Sequence, residues 1–372
     1  MIFFHRFLVL LVILLPYFST QAQHFQQGSK PDFGDLSKIN FEDLCIVSKN
    51  TQEYLNRYQE DSFAVHDGAV FGGAVTLSRV KETLTFICDV VKQDENTEFK
   101  RLADKSFLQN HFEFIRWTPD KKTANEIASK STNEIKTRML NNIPSDKLFI
   151  TKYYTKLLNG SEVKTAEFSQ ALYAIPKDEA ELTLEQADSL KNNLTRYKFT
   201  RQDIINGALL KEDLAKPLIW ISEEALHDVL LQGTGVLKVG DTIRYFNVHR
   251  NNGIAYDYAI GKREQARYWY FAEVPSIMGY GTDIENKIPI LPKVTFAGNV
   301  GQLGLGKLFM MTYDVKGQSE SRLAILADRG GAFDNNLFQL DYLVDSYRGW
   351  SDYHQANKHL PDYARVWLML KK

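Results

Sequence analysis

The sequence predicts an α+β protein rich in strands, with a helical N-terminal section followed by one or two small β-barrels. Three observations lead there. Apolar residues recur at helical spacing mainly in the early part of the chain. From Lys147 onward they fall into short runs instead. Tight-turn pairs such as Asn159-Gly160 and Gly240-Asp241 separate those runs.

Taken in order, Arg6 precedes the apolar run Phe7 to Leu15, and Pro16 ends it. Thr20-Gln21-Ala22 then places small residues at a cleavage point, so residues 1–22 read as a secretory signal peptide too short to span a membrane stably. No cysteine follows the run to carry a lipid, and no later stretch is apolar enough to cross a bilayer. An exported, soluble mature chain is expected. Residues 23–42 are polar, contain Gly28, Pro31 and Gly34, and read as a linker. Leu44, Val47, Thr51, Tyr54, Leu55 and Tyr58 share one helical stripe. Leu77, Val80, Leu84, Ile87 and Val91 share a second, with Thr76 as its N-cap. A third helix is expected from Phe99 to Phe114. Phe149 to Leu158 is a strand ending at Asn159-Gly160, a hairpin signal. Leu182 to Leu194 reads as a helix between strands. Val236 to Val239 and Ile243 to Val248 form a hairpin around Gly240-Asp241, and Tyr268 to Val274 is an aromatic strand. Leu308 to Tyr313 and Leu323 to Ala327 flank a turn at Lys316-Gly317.

The 372 residues suit two domains, or one domain with an insertion. With 45 basic against 46 acidic side chains, no basic excess exists to displace counterions from a nucleic acid, and none is expected as a partner. Aromatic residues make up 12%, which serves core and strand packing first and leaves some faces for stacking on sugars. Cys45 and Cys88 each sit in a helical apolar pattern; a disulfide and two buried thiols are equally natural there.

Several chemistries lack their residues. His354 and His359 are five apart and off one helical face, so no metal site is expected. There is no Gly-x-Ser-x-Gly elbow and no Walker loop, and Gly301-Gln302-Leu303-Gly304-Leu305-Gly306 has the wrong spacing for a nucleotide. No cofactor is implied. More informative is the strand Arg322 to Ala327, which ends in Asp328. Arg329-Gly330-Gly331-Ala332 then makes a flexible turn, and a second strand carries Gln339 and Asp341. Carboxylates on neighbouring strand ends raise each other's pKa, and a protonated acid can donate to a glycosidic oxygen. A pair of aspartates capping turns is the alternative.

Several blocks then match one family in its own order. They include Ile150 to Thr155 with Tyr153-Tyr154, Ala171 to Pro176, Thr200 to Leu209, and Gln232-Gly233-Thr234-Gly235. Asn252 to Tyr256, Trp269-Tyr270-Phe271, Asp328 to Ala332 and Arg365-Val366-Trp367 follow. Across about 330 residues the chain resembles the membrane-bound lytic murein transglycosylase A (MltA) family with its C-terminal three-aspartate domain. The resemblance implies a double-psi β-barrel main domain, with its helical part at 43–156 and its three-aspartate part at 273–372. A second small β-barrel would be inserted at 157–272, leaving a groove for glycan. It further implies cleavage of the β-1,4 bond between N-acetylmuramic acid and N-acetylglucosamine in peptidoglycan, with a 1,6-anhydro product and a single aspartate as acid and base. The glycan strand is the implied partner, with other cell-wall machinery, in the periplasm or envelope of a Gram-negative-type bacterium.

By the same resemblance Asp341 is the catalytic acid and Asp328 its support. Thr151, Tyr153, Tyr154, Gln232, Gly233, Thr234, Gly330, Gly331 and Gln339 line the substrate groove. The departures are specific. The family's first aspartate is Asn299 here, and its acid, eleven residues after Asp328, is Gln339. Asp341 stands two residues further, on the same face of a strand, and a longer Phe333 to Leu337 loop restores it to the acid's place. Otherwise the chain is a glycan-binding relative that has lost its acid.

Overall fold

The computed structural model describes residues 24–330, 333 and 335–372. The expected signal peptide and Gly331 lie outside the described residues. β1 (Phe25–Gln27) pairs antiparallel with β2 (Phe112–Trp117), and Phe25, Leu36 and Ile39 are buried. The segment expected as a linker is therefore laid against the body of the protein. Helices α1 (Phe41–Arg57) and α2 (Leu77–Gln93) follow the predicted stripes, and the side chains of Asn40 and Thr76 accept from Asp43 N and Arg79 N. Cys45 and Cys88 are joined as a disulfide between these helices. The third predicted helix is cut short: α3 covers only Lys105–His111, and the chain turns directly into β2. Phe112, Phe114, Ile115 and Trp117 are buried there, because β2 pairs with the last strand of the chain and is packed on both faces.

After α4 (Lys121–Lys130) and α5 (Glu134–Asn141), β3 (Leu148–Asn159) begins the sheet that carries the site. A second group of elements follows: β4 (Gln170–Tyr173), α6 (Leu184–Ser189), α7 (Arg201–Ile205), α8 (Ala208–Lys211), β5 (Pro217–Ile221) and α9 (Glu223–Gln232). Next come β6 (Thr234–Val239), β7 (Thr242–Asn251) and β8 (Trp269–Val274). The helix expected over 182–194 is thus only the short α6, closed by a Thr183–Gln186 capping box. These elements enclose their own core around Leu172, Leu226, Phe246, Tyr268, Tyr270 and Phe271.

Asn159-Gly160 does not make a hairpin. Leu157 and Leu158 find partners in Val236 and Leu237 through a parallel pairing of β3 with β6, and Ser161 then bridges to Trp220 of β5. The hairpin at Gly240 is present, with Gly240 at φ 58°.

The chain returns through β9 (Ile277–Met278), β10 (Pro289–Ile290), β11 (Thr295–Ala297) and α10 (Val300–Leu303). β12 (Leu308–Val315), β13 (Gln318–Asp328), β14 (Gln339–Tyr347), α11 (Trp350–Asn357) and β15 (Tyr363–Lys371) complete it. Lys316 and Gly317 both take positive φ in the predicted turn between β12 and β13. Six strands close into a barrel in the order β15-β12-β13-β11-β14-β3. The ring is sealed where Tyr363 and Ala364 of β15 meet Phe149 and Leu148 of β3. Phe296, Phe309, Met310, Leu326, Leu340 and Trp367 belong to the core that the barrel shares with α1 and α2. The α+β class with a small closed barrel is what the residue patterns implied. Among the described residues no helix is long and apolar enough to cross a membrane.

Candidate active site

β11 is three residues long and lies between β13 and β14, and its last residue organises the site. Ala297 pairs in parallel with Asp328 and antiparallel with Asp341. Directly paired residues share a face of a sheet, so both carboxyl groups emerge on the same side. Two strand spacings separate their Cα atoms by about 10 Å. Asp341 in turn pairs with Thr151 of β3, which adds Thr151 and, two residues on, Tyr153 to that face.

Among the described residues, two donors hold Asp328. The Tyr153 hydroxyl donates to Oδ2 at 2.9 Å and the Arg329 amide to Oδ1 at 2.8 Å. Burial nevertheless pushes its pKa up to about 6. The two hydrogen bonds and the Lys287 ammonium pull downward, while the charge of Asp341 pushes up. Asp341 also rises to about 6, chiefly through burial, with the Thr151 hydroxyl and the Lys152 charge opposing. Its Oδ1 is shielded from solvent and has no hydrogen-bond partner among the described residues. An ionised carboxylate is costly in such a place, and a protonated one far less so. The same surroundings hold the Tyr153 phenol well above its usual pKa, so it remains a donor.

Gln339 lies one strand step from Asp341 on the same face. Its Nε2 donates to Thr151 Oγ1 at 2.8 Å and its Oε1 accepts from Asn336 Nδ2 at 3.0 Å. The amide is committed to bracing Thr151 and the preceding loop. Asn299 caps α10, accepting from Gln302 N at 3.2 Å and donating to Gln302 Oε1 at 2.7 Å. Gly330 is required for close packing, since a Cβ there would meet the Phe333 ring at 2.1 Å.

The remaining groove candidates separate. Thr234 is tied to the carboxylates through a relay that sequence reasoning missed. Lys287, whose charge acts on Asp328, donates to Asn247 Oδ1 at 2.7 Å, and Asn247 Nδ2 donates to Thr234 Oγ1 at 3.0 Å. Nothing in the spacing of Lys287 or Asn247 marks them, because they meet only when β7 packs against the segment between β9 and β10. Gln232 accepts from Lys156 N at 3.2 Å, at the junction of β3 with α9. Gly233 ends α9 in the left-handed conformation, φ 75°, a backbone role. Both line a separate cavity of about 340 Å³ with Arg201, Tyr256 and Trp269. Tyr153 and Tyr154 part as strand alternation requires. Tyr153 reaches Asp328, whereas Tyr154 stacks on Tyr353 with centroids 4.6 Å apart and bonds to neither carboxylate. Lys152 and Lys156 pair with Asp362 and Asp228.

This is a barrel bearing two aligned acids, interrupted by an inserted unit with its own core. Solved structures share that fold. Residues 149–266 match the model of the MltA specific insert domain. A membrane-bound lytic murein transglycosylase from Agrobacterium tumefaciens aligns over 94% of this chain and 98% of its own, at 14% identity and a TM-score of 0.55. Escherichia coli MltA with bound chitohexaose aligns over 93% and 94%, at 15% identity and a TM-score of 0.50. MltA from Neisseria gonorrhoeae aligns over 88% of each chain, at 17% identity and a TM-score of 0.50. A search of curated sequences returned no match. Residues 149–266 thus carry the MltA specific insert domain, and the fold around them is the one seen in solved MltA structures.

Proposed function

We propose that this protein is an exported peptidoglycan lytic transglycosylase in which Asp341 is the acid and base and Asp328 its supporting carboxylate. The observation that carries the reading is the alignment of Asp341 with Asp328 across Ala297, with Asp341 Oδ1 shielded and without a partner among the described residues. A carboxyl group with a pKa of about 6 supplies protonated acid near neutrality and a competent base after donation. In the reaction Asp341 gives its proton to the N-acetylglucosamine O4 as the C1–O4 bond breaks. The carboxylate so formed takes the proton of the muramyl 6-hydroxyl as O6 bonds to C1. The carboxyl group is regenerated, no water is consumed, and the product is the 1,6-anhydro sugar. Attack from within the same sugar supplies the effective molarity that otherwise needs a second catalytic group. Asp328, held by Tyr153 and the Arg329 amide, positions charge beside the developing oxocarbenium. Residues 157–272 form the second wall of the glycan groove, with Thr234 and Asn247 at its edge. Glycan binding is in keeping with the chitohexaose held by the Escherichia coli relative. An envelope location, exposed to peptidoglycan, follows from the same reading.

Incubation with peptidoglycan sacculi tests it. Release of 1,6-anhydromuropeptides that disappears in Asp341→Asn is expected. A second reading, a glycan-binding relative without activity, is favoured by Asn299 and by Gln339 at the family's spacing. It prevails if the protein sediments with sacculi yet yields no anhydro product.

A further inference from the structure

On the far side of Gln339 from Asp341 lies a pocket of about 380 Å³ between the α4–α5 hairpin and the start of β3 and β14. Its walls are mostly apolar, with Ile127, Ile135, Met139 and Phe149 prominent. Ile135 is 66% exposed there, a large aliphatic side chain at an open mouth. Thr151 and Gln339, which brace the face carrying Asp341, form its inner edge, and Asn133 and Asn336 add amides. Lys136 is the one charged side chain lining it among the described residues.

A sugar ring is a poor occupant. Its hydroxyls would lie against aliphatic walls without partners, and each unpaired hydroxyl costs free energy on burial. A peptide attached through a lactyl ether fits better. Its first residue is small and apolar, its backbone needs amide partners, and the carboxylates that follow match Lys136. Reach agrees as well. The pocket begins two residues from Asp341 along β14, about 7 Å, so a substituent on O3 of the sugar under attack can enter it. We infer that this pocket receives the lactyl-linked stem peptide of the muramyl residue being cleaved, so that the protein prefers peptide-bearing strands over bare glycan. The inference rests on the proposed reaction for the placement of that sugar.

Soluble glycan strands with stems intact, and the same strands stripped by an amidase, are titrated calorimetrically into Asp341→Asn, which holds a strand without cutting it. Stems are expected to tighten binding about tenfold, or about 1.4 kcal/mol. Ile135→Asp and Lys136→Glu, both surface changes added to that background, are expected to bring the ratio of the two affinities close to one. Equal affinity in the parent, or an undiminished ratio in both variants, overturns the inference. Failure of the enzymatic reading is read separately, as no anhydro product from the unmutated protein whatever the binding ratio.

Discussion

Replacing Asp341 by Asn removes one titrating proton from a place where the charged form is disfavoured, and stability records the change. In the unfolded chain an aspartate titrates at its ordinary 3.8; in the folded protein Asp341 titrates at about 6. Below 3.8 the group is protonated in both states and folding bears no penalty. As pH rises through 6 it is ionised in both, and the folded state carries the full cost of the shielded charge. The shift of about two pH units corresponds to roughly 3 kcal/mol at neutrality. Asn has no such titration, and its own amide adds an offset that does not vary with pH. The difference in unfolding free energy between variant and parent should therefore move in the variant's favour by about 2 to 3 kcal/mol between pH 4 and pH 7.5. Relief of Asp328, which Asp341 pushes up, acts in the same direction. Guanidinium unfolding at both pH values measures it, and the buried Trp117 and Trp367 report the barrel. Parallel stability profiles for the two proteins would refute the claim that Asp341 is a strained acid.

Release of anhydromuropeptides should fall about tenfold per pH unit above roughly 6, as the acid form of Asp341 is depleted, and a flat profile from pH 5 to 8 would contradict its role. Tyr153→Phe removes a donor that holds Asp328 down, so carbon NMR of that carboxyl should show it titrating above about 6; an unchanged titration argues against the hydrogen bond. Cys45→Ser with Cys88→Ser opens a crosslink spanning 43 residues, which the chain-entropy estimate values at about 4 kcal/mol; a loss under 1 kcal/mol would show that α1–α2 packing alone suffices.

Local pattern carried the helices and hairpins wherever one element's own spacing settles its state, as in α1, α2 and the Gly240 and Lys316-Gly317 turns. It failed where distant pairing decides. Phe112 to Phe114 reads as the end of a helix until β15 is known to lie beside it. Asn159-Gly160 reads as a hairpin until β6 arrives in parallel. The site divides in the same way. Asp328, Asp341, Thr151 and Tyr153 lie on strands whose alternation is visible in sequence, but their shared face rests on pairings through Ala297 of β11 that no local pattern shows. Resemblance to a family supplied the interest in that face. Lys287 and Asn247 come from segments with no motif, and only the packing of β7 against the segment between β9 and β10 gives them a common role.

β3 serves two bodies at once. Its first half is a stave of the barrel, paired with β14 and β15, and its second half is an edge to which β6 attaches. Thr151 and Tyr153 sit a few residues upstream of that attachment, on one uninterrupted backbone. The inserted unit is consequently carried in part by the strand that flanks Asp341, so a swing of that unit would load β3. On the proposed reaction, opening for a glycan and alignment for proton transfer would share that one strand. A splice at residue 157 would cut that strand rather than detach a module.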